Sequence, residues 1–116
     1  MPISVSPEDF EDLVDAALRR IPRDLLQHVN NVALVIEDYN PDSPFILGLY
    51  EGVALTERTS EYTGVLPDKI TIYREALAGY VDSEEDLVEQ VAVTVIHELA
   101  HHFGISDARL HELGWA

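Results

Sequence analysis

The sequence predicts an α+β domain: a small mixed sheet of about three to four strands packed on a long buried helix, with helices ahead of the sheet. Three observations carry this expectation. A capped amphipathic helix opens the chain, short β-branched runs follow between residues 31 and 75, and a helix apolar on most of its circumference lies near the C-terminus. With 116 residues the chain has room for one hydrophobic core, so residues 1–116 are read as a single domain.

The elements follow in order. Ser6-Pro7-Glu8-Asp9 is a helix start: a capping hydroxyl, proline at the first helical position, and acids against the positive end of the dipole. Phe10, Leu13, Val14, Ala17 and Leu18 recur at helical spacing, Arg19 and Arg20 suit the C-terminal end, and Pro22 interrupts. Leu25, Leu26 and Val29 predict a short helical continuation to about Asn30. The apolar run from Asn31 to Tyr39 predicts a central strand, and Asn40 to Pro44 a loop by its turn residues. Gly48 and Gly52 interrupt the segment from Ile46 to Leu55, which predicts an irregular strand or bulged hairpin. Thr56 to Asp68 is polar and reads as a long loop walling a cleft. Lys69 to Glu75 alternates as a strand, with Ile70 and Ile72 on one side and Thr71 and Tyr73 on the other.

Ser83 with Glu84, Glu85 and Asp86 starts the next helix, and Leu87, Val88, Val91, Ala92, Val95, Ile96 and Leu99 make it apolar enough to be buried. This helix carries His97-Glu98-x-x-His101. His97 and His101 stand a turn apart on one face, where two imidazoles can share one Zn²⁺ at about 2.0–2.1 Å. Glu98 lies about 100° round the helix, beside the metal but badly placed to share it, which is the position of a general base for an activated water. Burying two histidines and a glutamate on such a helix is costly unless they are paired or hold a metal. Gly104 can take the left-handed conformation that ends a helix, turning the chain so that Asp107 arrives as a candidate third ligand. Three protein ligands and an open fourth position describe a catalytic rather than a structural zinc site. His111, in the last short helix from Asp107 to Gly114, competes with Asp107 for the third position and is otherwise an outer contact.

HELAHHFGISD resembles the zinc-binding segment of zincin-type metallopeptidases, in particular the short bacterial zincin-like family of minimal catalytic domains. The flanking LGLYEGVALTERTS, LPDKITIYREAL and DARLHELG match as well, so the resemblance covers roughly residues 45–114. It implies a minimal zincin-like fold, one Zn²⁺ on His97, His101 and Asp107, Glu98 as base, and hydrolysis of peptide bonds in a peptide or protein substrate. It also implies that the strand before the metal-binding helix is a sheet edge, which makes Ile70, Thr71, Ile72 and Tyr73 the candidate peptide-docking residues. The sequence departs from the larger metzincin pattern: Asp107 stands where a third histidine is usual, and Met1, the only methionine, cannot form a Met-turn. An anionic third ligand weakens the Lewis acid and predicts modest activity. The competing function class is a zinc-binding zincin-fold module with weak or no turnover, acting in protein binding or regulation. A His₂Asp set also suits iron, although the adjacent Glu98 argues for hydrolysis.

The remaining polar residues have simpler readings. His102 faces away from His101 and reads as a capping or surface residue, His28 as a surface residue, and Arg109 as an ion-pair partner. Tyr73 reads as a packing tyrosine, with hydrogen bonding to a reaction oxyanion as the alternative. The formal net charge of −15 argues against nucleic acid or an anionic membrane as partner, because phosphates are repelled. Cysteine is absent, which excludes disulfides and thiolate metal sites. The first residues lack the basic and apolar regions of a signal peptide, and no apolar run approaches a membrane span, so the expected location is cytoplasmic.

Overall fold

The computed structural model describes residues 2–23, 25, 32–52, 68–102 and 104–112, with His102 and Asp107 described by their backbone alone. In chain order these residues form α1 (Pro7–Leu18), β1 (Val32–Glu37), β2 (Gly48–Glu51), β3 (Asp68–Tyr73), α2 (Arg74–Tyr80), α3 (Glu84–His102) and α4 (Asp107–Glu112). The result is α+β: a three-stranded mixed sheet with four helices. The predicted helical continuation beyond residue 25, the loop wall at 56–67 and His28 lie outside the described residues.

Local chemistry sets the helix ends as the sequence predicts. The Asp9 N–H donates to Ser6 Oγ at 3.1 Å, and the Asp86 N–H to Ser83 Oγ at 3.1 Å. The same cap opens α4, where the Arg109 N–H donates to Ser106 Oγ at 3.1 Å. At the end of α3, Gly104 has φ +73°, the Ile105 N–H donates to the Ala100 carbonyl at 2.8 Å, and the Gly104 N–H reaches the His101 carbonyl at 3.4 Å. These paired bonds form a Schellman turn, which satisfies carbonyls the helix leaves over. Ile105 then packs against the core.

The strand order is β1-β3-β2, with β1 parallel and β2 antiparallel to β3. This corrects two expectations. The apolar β1 borders the described sheet instead of occupying its centre, and β3 is its central strand. Residues 69–72 pair with β1 on one side and with β2 on the other. Ile70, Thr71, Ile72 and Tyr73 are each at most 2% exposed, because both faces of β3 are covered. They therefore cannot form a peptide-docking edge. The alternation of Ile and Thr/Tyr resembles a half-exposed strand only because Thr71 and Tyr73 are polar side chains that the fold buries. The Tyr73 hydroxyl accepts from Asn40 Nδ2 at 2.9 Å in a buried contact, in keeping with the packing role read from the sequence.

Within the segment predicted as an irregular strand or bulged hairpin, Gly48 to Glu51 pair residue for residue with β3, and residues 53–55 lie outside the described residues. Arg74 and Glu75, grouped with the strand by alternation, instead open α2, whose Ala76, Leu77 and Ala78 are buried. Arg74 ties this junction together, pairing with Asp38 and Glu75, each at 2.8 Å, and donating to the Val5 carbonyl.

α3 is the spine of the domain. Leu87, Val91, Ala92, Val95, Ile96, Leu99 and Ala100 are buried, with α1 packed along one side and β2 and β3 along another. Phe10, Val14 and Ala17 bury the inner face of α1. A fully buried Phe10 contributes about 1.5–3 kcal/mol relative to an exposed one. Among the described residues no helix is long and apolar enough to cross a membrane.

Candidate active site

The site lies where the last turns of α3 emerge beside β2. His97 and Glu98 are half-buried and His101 is exposed. The helix is buried as predicted, but the three motif residues sit on its open side. The desolvation cost anticipated for them is therefore smaller than a core position would impose, and it does not by itself demand a metal.

The imidazoles of His97 and His101 have centroids 6.3 Å apart and planes at 87°. Ring nitrogens at about 2.0–2.1 Å from one zinc ion place each centroid about 3.2 Å from it, or roughly 5 Å apart at a tetrahedral angle. The pair thus fits a shared ion after an approach of about 1 Å, within the reach of small side-chain rotations. The donor set is also suitable, since two neutral imidazoles are common zinc ligands. Among the described residues no group of three His, Cys, Asp or Glu is gathered for a metal. Asp107 is the first residue of α4, directly beyond the Gly104 turn, and its side chain lies outside the described residues. His111 is exposed on the same helix. Arg109 pairs with Glu112 at 2.9 Å, the ion-pair role expected of it.

Glu98 leans towards β2. A cleft of about 280 Å³ opens there, lined by Leu47 and Gly48 on the strand side and by Gln90, Thr94, His97 and Glu98 along one face of α3. Burial raises the Glu98 carboxyl above its ordinary value of 4.5. The charge of His101, a hydrogen bond from the Tyr50 backbone N–H and the charge of His97 oppose that rise without cancelling it.

The source of that N–H follows from sheet geometry. The Tyr73 N–H donates to the Leu47 carbonyl at 3.1 Å. Antiparallel alternation then turns the backbone groups of Leu49 and Glu51 towards β3, and those of Gly48 and Tyr50 towards the outer side of β2. The Tyr50 side chain is anchored separately, its hydroxyl donating to Asp68 Oδ2 at 2.7 Å.

Spacing alone makes His97, Glu98 and His101 legible. It does not single out Gly48, Tyr50, Gln90 or Thr94. The available signal is a glycine inside a strand, which marks either a bulge or a close approach of another element. Here it marks the approach.

Fold and motif together define a zincin-like domain. A family model described as zincin-like metallopeptidase matches residues 29–115, and the chain belongs to that family. Its fold is similar to that of the conserved hypothetical protein TTHA0227 from Thermo thermophilus, with a TM-score of 0.56 and 23% identity over 85% of this chain and 94% of that one. No curated protein matches the sequence.

Proposed function

We propose that this protein is a zinc-dependent peptidase acting on peptide or protein substrates, with Glu98 as the general base. The observation that carries the reading is the placement of Glu98. Its half-buried carboxylate borders the cleft beside both imidazoles, held by a backbone N–H. A metal site that served only to brace the fold has no use for a poised carboxylate there.

His97 and His101 would hold the metal through their ring nitrogens, with Asp107 completing the set. Zinc held there would supply Lewis acidity to a water and to the substrate carbonyl. Glu98 takes the proton from the attacking water and returns it to the leaving amine. A hydrogen bond from the Tyr50 backbone helps to hold the carboxylate where it borders the cleft. With β3 enclosed, the strand bordering the cleft is β2, and an extended substrate meets its outer side, where the Gly48 and Tyr50 carbonyls are directed.

Digestion of a mixed peptide library by zinc-loaded protein, beside Glu98→Gln and read by mass spectrometry, tests this. The expected result is cleavage by the wild type and loss of at least about a hundredfold in rate in the variant, from removal of the base. Zinc bound at one per chain with no cleavage by either protein would reject the peptidase reading in favour of a binding module.

A further inference from the structure

We propose that Gly48 is a positioning residue: the missing side chain lets β2 lie close against α3 beside Glu98. The proposal rests on the reading of Glu98 as general base. Gly48 is buried, opposite Ile72 in the ladder. A Cβ added there would lie 2.6 Å from Thr94 Cγ2, 3.4 Å from the Thr71 carbonyl oxygen and 3.8 Å from Glu98 Cγ. Carbon atoms in contact normally sit about 3.5–4.0 Å apart, so the first of these distances is an overlap of about 1 Å.

Neither neighbour can yield easily. Thr94 is buried, β-branched on a helix and therefore restricted at χ1, and its hydroxyl accepts from Gln90 Nε2 at 3.4 Å. The Thr71 carbonyl is the backbone of the central strand. Relief has to come from β2 moving off the helix. Two residues along the same strand is Tyr50, whose N–H···Glu98 bond spans that same gap. A hydrogen bond stretched by about 1 Å is no longer one. At Gly79 and Gly104, by contrast, an added Cβ meets nothing within 4 Å. The packing demand belongs to Gly48, at the point where strand and helix meet beside the proposed base.

The test compares wild type, Gly48→Ala, Thr94→Ser, the Gly48→Ala/Thr94→Ser double variant and Glu98→Ala. Thr94→Ser deletes the clashing methyl while keeping the hydroxyl. The first readout is the exchange rate of the Tyr50 amide by NMR on the zinc-free protein, with the Leu49 amide, directed at β3, as internal reference. Exchange at Tyr50 should accelerate by at least about tenfold in Gly48→Ala and in Glu98→Ala, and return to the wild-type rate in the double variant. The second readout is turnover of a cleaved peptide by zinc-loaded protein. Gly48→Ala should lower kcat by about tenfold, the effect of one hydrogen bond to a charged group, with KM within about twofold and zinc still at one per chain. The double variant should recover kcat.

Wild-type protection of Tyr50 in Gly48→Ala or in Glu98→Ala would overturn the proposal. So would lost protection that Thr94→Ser fails to restore, because the overlap would then not be its cause. If Gly48→Ala does not fold, the Glu98→Ala amide and the folding of the double variant decide the matter in the same way. A wild type without turnover counts against the peptidase reading alone, and the Tyr50 amide still decides the placement.

Discussion

Replacing Gly104 by alanine isolates the backbone cost of the turn that closes α3. Gly104 has φ +73°, and a Cβ there meets nothing within 4 Å, so no steric overlap contributes. An L-residue pays about 1–2 kcal/mol to enter the left-handed region. Alanine recovers part of this, about 0.4–1 kcal/mol, by restricting the unfolded chain. The net expectation is a destabilisation of about 1 kcal/mol, or a fall in Tm of roughly 3–6 °C for a domain of this size. Gly79 supplies the control. It lies in α2 and also has nothing within 4 Å of an added Cβ, so Gly79→Ala should stabilise by about 0.5 kcal/mol through helix propensity. Thermal and urea unfolding of the zinc-free variants measures both. Opposite signs support the assignment of the turn, and Gly104→Asn should fall between wild type and Gly104→Ala because asparagine tolerates positive φ. A neutral Gly104→Ala, or the same sign at both positions, would refute the reasoning.

Two other perturbations address the metal and the base. Asp107→Ala should weaken zinc binding by more than about a hundredfold, beyond the range for losing an outer contact, whereas His111→Ala on exposed α4 should leave it within about twofold; competition with a chelator measures both, and the reverse order would make His111 the ligand. Burial raises the Glu98 carboxyl, so in zinc-free protein the native state retains this proton to higher pH than the unfolded chain does. That contribution to stability is fully present below the ordinary value of 4.5 and is lost as pH rises through the raised native value. Urea unfolding across that window should show the decline in the wild type and its removal in Glu98→Gln.

Two glycines and the serines ahead of three helices show how unequal the information in the chain is. Ser6, Ser83 and Ser106 act on N–H groups three residues away, and Gly104 closes its turn within five residues. Such contacts are written locally. Gly48 carries no local instruction of that kind. Its requirement arises from Thr94, far along the chain, and emerges only when β2 and α3 are side by side.

The sequence by itself therefore determined the helices that carry caps and period, the α+β class, and the His97, Glu98 and His101 cluster, because one helical turn brings those three together whatever surrounds them. Tertiary structure alone decided that β3 is central and β2 borders the cleft. Pairing partners are chosen across the sheet by burial of both faces of β3, and an alternating strand reads alike whether its polar face meets water or buried partners. It also brought the Tyr50 N–H to Glu98, since a backbone group has no residue identity from which its target can be read.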